Sequence, residues 1–204
     1  MYDAVMHDAS KVVKPAVSDT WRLQDGAPRR IAVIGRGGAG KTTVALRLGE
    51  ELGLPVVHLD RLAWDPSWQP VDPELFDRRQ AAAVAGDAWV IDGGYLSSPG
   101  WPERVRRADL VVLVEAPLLV CLERIVRRSL ARTCGRRPDL PAGCDEAFSL
   151  FFLRWTLGWS RRNREALTRV ERTRPVARIA HRPGAGHRIR VPHRSVHRPA
   201  GTLM

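Results

Sequence analysis

A lysine and a threonine directly behind a run of glycines are where this chain shows its chemistry. Gly35-Arg36-Gly37-Gly38-Ala39-Gly40-Lys41-Thr42 fits G-x-x-x-x-G-K-[ST] at every fixed position, the pattern of a phosphate-binding loop. Gly35, Gly37, Gly38, Ala39 and Gly40 let successive backbone N–H groups crowd around phosphate oxygens, where larger side chains would obstruct them. A helix opening at Lys41, Thr42 and Thr43 would point its positive end at the same anion. The Lys41 ammonium suits the β- and γ-phosphates of a nucleoside triphosphate, and the Thr42 hydroxyl suits Mg²⁺.

The same glycines satisfy G-x-G-x-x-G, with Asp60 twenty residues beyond Gly40. That rival pattern reads as a dinucleotide site of an oxidoreductase, with Asp60 on a ribose hydroxyl. A dinucleotide site has no use for Lys41-Thr42, whereas triphosphate chemistry needs both, so the phosphate loop is the better reading.

Further acids and cations fit around that loop. Asp92 ends the apolar run Trp89-Val90-Ile91, where a carboxylate holds Mg²⁺ through water, and Glu115 competes for that role. Asp60 closes a second apolar run and could bind or deprotonate an acceptor hydroxyl; capping a helix or pairing with Arg61 is the plain alternative. Arg124, Arg128, Arg132, Arg136 and Arg137 could neutralise a transferring phosphoryl and close over it as a lid, with Arg128 and Arg137 taken as the catalytic pair. Some of these arginines simply solvate a helix face. Trp64, Trp68 and Tyr95 could stack on an acceptor base, although loop anchoring is the commoner use. His58, on an apolar strand, is expected to be structural, and Cys121, Cys134 and Cys144 have no metal-site spacing.

The elements that must carry these residues alternate. Strands are expected at Ile31–Ile34, Pro55–Asp60, Trp89–Asp92 and Ala108–Glu115. Helices are expected from Lys41 to Leu52, from Asp72-Pro73-Glu74 to about Gly86, from Pro117 to about Leu130, and from Asp145 to Val170. The third of these should bury Leu118, Leu119, Leu122, Ile125 and Val126. This order predicts an α/β fold, a three-layer sandwich with a parallel sheet and helices on both faces.

Length and charge set the frame. The 204 residues suit one domain at 30–170, with a lid at about 127–147 and a flexible extension at 1–29. No apolar run approaches a membrane span, the N-terminus does not resemble a secretory signal, and reduced cysteines suit the cytoplasm. The formal charge is +11, but residues 171–204 hold eight arginines against Glu171, leaving +4 for the other 170 residues. Nucleic-acid contact is therefore conceivable only through that Arg/His/Pro-rich tail, which is expected to be disordered and dispensable for melting and nucleotide binding, with a weak strand possible over Pro175-Val176-Ala177-Arg178-Ile179.

The phosphate loop, His58-Leu59-Asp60 with Trp64, Trp89-Val90-Ile91-Asp92-Gly93-Gly94-Tyr95, Arg136-Arg137-Pro138-Asp139, and Gly143-Cys144 with Glu146 carry a resemblance. Over about residues 30–165 the chain resembles the adenylate-kinase-like proteins labelled DNA topology modulation (FlaR-related) proteins. The resemblance implies an ATP- and Mg²⁺-dependent kinase acting on a small-molecule or nucleotide acceptor. The loop alone is also compatible with an ATP-hydrolysing module associated with nucleic acid through the tail.

Overall fold

A computed structural model describes residues 27–65, 69–130, 150–182 and 185–190. Among them the sheet has six strands: β1 (Arg30–Gly35), β2 (Val56–His58), β3 (Trp89–Asp92), β4 (Leu110–Glu115), β5 (Val176–Arg182) and β6 (Ala185–Arg190). Their spatial order is β2-β3-β1-β4-β5-β6; the first five are parallel, and β6 runs antiparallel to β5. The helices are α1 (Lys41–Leu52), α2 (Leu59–Ala63), α3 (Pro73–Ala85), α4 (Trp101–Arg107), α5 (Leu118–Leu130), α6 (Leu150–Leu157), α7 (Trp159–Arg162) and α8 (Arg164–Thr173).

Alternation along β1 builds the layers. Ile31 and Val33 face one core with Val44, Ala45, Leu48 of α1 and Cys121 of α5. Ala32 and Ile34 face the other, with Val84, Trp101, Trp159 and Val170 from α3, α4, α7 and α8. Both faces of the central strands are thus dry, which is why they read as unbroken apolar runs. The chain leaves β1 toward β2, while the neighbouring β4 leads toward β5. Ligands of open parallel sheets bind outside the carboxyl ends of strands at such a switch point.

Helix boundaries follow local chemistry. Asp72 accepts hydrogen bonds from the backbone N–H groups of Glu74 (3.0 Å) and Leu75 (3.1 Å), with Pro73 in the first turn. Four sequence expectations need correction. The second strand stops at His58, because Leu59-Asp60-Arg61-Leu62-Ala63 coils into α2 and takes Asp60 with it. The long helix expected over 145–170 is broken at Gly158 and Asn163, where Arg162 takes the carbonyl of Trp155; its portion before Leu150 lies outside the described residues. Helix α5 turns Cys121, Ile125 and Ser129 inward and leaves Leu119 78% exposed, because its phase is set by contact with the glycine loop.

The fourth correction concerns the ends. Arg29 already belongs to the fold: its carbonyl accepts from the Trp89 N–H at 2.7 Å. At the other end the domain does not stop at 170. Helix α8 runs to Thr173, and β5 pairs Val111↔Val176 through Glu115↔Ala180 with β4. Val176, Ala177 and Ile179 are buried, and Arg178 is held by Glu115 (2.6 Å) and Glu171. An arginine that suggested a solvated tail is an ion-paired strand residue, and the sheet extends through Arg190. Residues 1–26, 131–149 and 191–204 lie outside the described residues, with most of the expected lid.

Candidate phosphate-loop site

Residues 36–40 turn the chain from β1 into α1. Within the turn the Ala39 N–H donates to the Arg36 carbonyl at 3.2 Å, and Lys41 Nζ donates to the same carbonyl at 3.1 Å. Gly38 has φ 75°, and a Cβ there would lie 2.4 Å from the Cys121 carbonyl oxygen of α5. A Cβ on Gly37 would meet the Phe152 ring at 2.9 Å and the buried Thr156 hydroxyl at 3.1 Å, both on α6. The loop is therefore clamped from two sides by helices far away in sequence. Arg124 adds to the clamp, with Nη1 donating to the Gly38 carbonyl at 3.3 Å. Its helical spacing from Arg128 was visible in the sequence, but its grip on the loop was not.

Lys41, Thr42 and Thr43 open α1, as expected. The Thr42 hydroxyl donates to Asp92 Oδ2 at 2.8 Å. Parallel pairing of β1 with β3 makes this possible by placing Asp92 opposite Val33. Asp92 is 4% exposed, and its Oδ1 is buried without a hydrogen bond among the described residues. Glu115, the competitor, is instead committed to Arg178.

Thr42 and Asp92 fit a hard divalent cation. They offer oxygen donors only, and the orphaned Oδ1 is an acceptor that a cation or its water would satisfy. Among the described residues no group of three or more His, Cys, Asp or Glu side chains forms a cage.

His58, expected to be structural, has a buried polar partner in the structure. It lies opposite Asp92 in the β2–β3 register, with Nδ1 3.0 Å from Asp92 Oδ2. Only strand pairing brings the two together, so no local signal was available.

Asp60 accepts a hydrogen bond from the Tyr95 hydroxyl at 2.7 Å, and that hydroxyl accepts from Trp64 Nε1 at 3.2 Å. Burial, then the charge of Asp60, pushes the Tyr95 pKa well above its ordinary value, so the phenol stays a donor. Tyr95 has φ 42°, a left-handed conformation that costs a non-glycine residue energy and often marks a functional corner. The preceding Gly94 carbonyl is gripped by Arg104 of α4 at 2.5 Å, whose guanidinium lies 4.7 Å over the Trp101 ring. Arg104 is fully buried, and burial lowers its pKa. The structure thus joins Asp60, Trp64 and Tyr95 by hydrogen bonds at one end of the sheet. Trp68 lies outside the described residues.

Of the two arginines singled out, Arg128 is half-buried one turn beyond Arg124 on α5, and Arg137 lies outside the described residues. A separate cleft of about 310 Å³ opens between β4, α7, α8 and β5, lined by Arg36, Glu115, Trp159, Arg164, Glu171 and Arg178. It contains neither Lys41, Thr42, Asp60 nor Asp92.

No protein-family profile matches the chain. Its sequence is similar to an adenylate kinase of Gloeobacter violaceus, 29% identical over 140 aligned positions, covering 54% of this chain and 62% of that protein. The chain therefore spans less than two thirds of this relative's length. Among solved structures, a shikimate kinase from Acinetobacter baumannii in complex with shikimate aligns with TM-score 0.49 and 18% identity, over 78% of this chain and 85% of that one. A shikimate kinase from Bacteroides thetaiotaomicron aligns with TM-score 0.47 and 21% identity, over 70% and 83%. The architecture described above is read from strand order and loop geometry rather than from these alignments. Among the described residues no helix is long and apolar enough to cross a membrane.

Proposed function

We propose that the chain is an adenylate-kinase-like P-loop phosphotransferase that moves the γ-phosphoryl of ATP to a small-molecule or nucleotide acceptor. The observation that carries this reading is the Thr42–Asp92 pair at the mouth of the glycine loop, with Asp92 Oδ1 left unsatisfied. The similarity to an adenylate kinase over 140 aligned positions supports the same chemistry. The resemblance to the group labelled DNA topology modulation (FlaR-related) proteins belongs to this proposal as a family assignment; the label supplies no acceptor.

In this reading Gly35–Thr43 cradles the triphosphate, and Lys41 leaves the Arg36 carbonyl to reach the β- and γ-phosphates. Thr42 and Asp92 would hold Mg²⁺, which neutralises phosphate charge when bound. Asp60 would receive the acceptor's hydroxyl or its proton, with Tyr95 holding the carboxylate in place. Arg124 reaches the loop from α5, and Arg128 one turn on and Arg137 from the segment that follows would join it. Transfer rather than ATP hydrolysis is favoured by this second, hydrogen-bonded carboxylate, which a simple hydrolytic module would not need.

The test is ADP production from ATP and Mg²⁺, alone and with panels of nucleoside monophosphates, nucleosides and hydroxylated metabolites. A rate that rises strongly with one acceptor is expected; a slow rate indifferent to all of them would leave an ATP-hydrolysing module. Lys41→Ala should lower transfer by about a hundredfold or more with an unchanged far-UV spectrum. Unaltered turnover in that variant would refute the assignment.

A further inference from the structure

His58 ends a strand otherwise made of Val56 and Val57 and is followed by fully buried Leu59. An apolar side chain would satisfy its 6% exposure equally well, so the imidazole needs another explanation. The pairing of β2 with β3 supplies it by setting His58 beside Asp92. An ionised carboxylate only accepts, so in the neutral ring Nδ1 carries the hydrogen and donates to Oδ2 across 3.0 Å.

Asp92 Oδ2 therefore receives two donors, Nδ1 of His58 and the hydroxyl of Thr42, while the buried Oδ1 receives none among the described residues. The two donors differ in their other duties. Thr42 opens the helix behind the glycine loop, and its hydroxyl oxygen is itself a cation ligand in the proposed site. Among the described residues, the hydrogen-bond partner of the His58 ring is Asp92, so its role there is to hold that carboxylate. A carboxylate pinned at one oxygen from two directions cannot swing about its terminal torsion, which is otherwise broad. The carboxylate then keeps one orientation beside the Thr42 hydroxyl.

We propose that His58 is a positioning residue of the cation site: by anchoring Asp92 Oδ2 it fixes the carboxylate beside the Thr42 hydroxyl, where Mg²⁺ or its coordinated water would meet the pair. This rests on the phosphotransferase reading above, because it takes the Thr42–Asp92 pair as the place where nucleotide-bound Mg²⁺ is held. It goes beyond that reading by giving a role to a residue outside the loop and the acceptor corner. Partners of metal-holding groups commonly matter tenfold to a hundredfold in metal affinity.

The experiment is calorimetric ADP binding to the full chain, with excess Mg²⁺ and with EDTA, in wild type, His58→Phe and His58→Asn. Wild type should bind ADP more tightly with Mg²⁺. His58→Phe should lose about tenfold of that enhancement while its affinity in EDTA stays unchanged. His58→Asn, whose amide nitrogen takes the place of Nδ1, should recover most of the loss. A thermal melt of each variant separates this from unfolding, and Mn²⁺ paramagnetic resonance on the ADP complex gives a second reading of cation affinity. A wild-type enhancement in His58→Phe would overturn the proposal. Equal impairment in Phe and Asn would also overturn it, because packing rather than the hydrogen bond would then be responsible. If wild type shows no Mg²⁺ enhancement at all, the phosphotransferase reading of Thr42 and Asp92 fails first.

Discussion

Asp92 and Asp60 lie at the carboxyl ends of neighbouring strands, yet the fold holds them in opposite ways. Asp92 is the last residue of β3, 4% exposed, with one oxygen shared between Thr42 and His58. Asp60 is half-buried on the five-residue helix α2, and its Oδ1 accepts from a phenol that is itself tied to Trp64. The first carboxylate is fixed by strand register, the second by side chains reaching across loops. A cation between phosphates needs one fixed geometry, whereas an acceptor hydroxyl must be met by groups that evolution can retune. In the proposed phosphotransferase, the contrast would put the cation at the β3 end and acceptor selectivity at the α2 corner.

Paired amides break the comparison most sharply. Asp92→Asn should lower transfer about a hundredfold and abolish the Mg²⁺ enhancement of ADP binding. Asp60→Asn should lower transfer to a similar degree, about a hundredfold as for a lost general base, but leave that enhancement intact. Steady-state transfer and ADP calorimetry on both variants decide it. Loss of Mg²⁺ coupling in both would mean that the carboxylates work as one unit.

Gly93 links the two corners, and altering it should have the next largest effect. Its φ is 146°, and an added Cβ would stand 2.7 Å from the Leu59 Cβ, one residue before Asp60. Gly93→Ala is expected to cost about 1–3 kcal/mol of stability, the usual range for a side chain forced into such a conformation. Leu59 must also yield, so the acceptor KM should rise more than the ADP dissociation constant. Denaturant melts and the two constants read this directly; an equal change in both would place the strain on the phosphate side instead.

How much of this was legible depended on whether the signal was local. Ile31–Thr42 could be read because strand, glycine turn and Lys-Thr are contiguous, and Asp92 because an apolar run ends there. Asp72-Pro73-Glu74 likewise predicted its helix from three adjacent residues. His58 could not be read, because its partner lies 34 residues away and meets it only through sheet register. Arg124 was visible as a helix-face cation, but its contact with the Gly38 carbonyl depends on how α5 docks. β5 was legible only as a weak possible strand over Pro175–Ile179, because its own composition obscured it. Arg178 between Ala177 and Ile179, with Pro175 just before, looks like a solvated tail until Glu115 and Glu171 are in place. The helix break at Gly158 had a weak local signal, one glycine in an apolar stretch, which the surrounding Phe and Trp residues outweighed.

The smallest effect tests whether the acceptor corner is held by side chains alone. Tyr95→Phe removes the hydroxyl that donates to Asp60 and accepts from Trp64, but keeps the ring, which packs 5.0 Å from that of Phe76. A hydrogen bond of this kind contributes on the order of 0.5–1.5 kcal/mol net, so the melting midpoint should fall only slightly. Function should respond differently from stability. Without the phenol, Asp60 loses a donor that fixes its orientation, and acceptor KM should rise by roughly three- to tenfold, the equivalent of that same free energy. ADP binding with Mg²⁺ should not move, because no hydrogen bond of Tyr95 reaches Thr42, His58 or Asp92 among the described residues. Steady-state acceptor titrations beside ADP calorimetry would expose the difference. A Tyr95→Phe protein with altered Mg²⁺ coupling and an unchanged acceptor KM would reverse the assignment of the two corners.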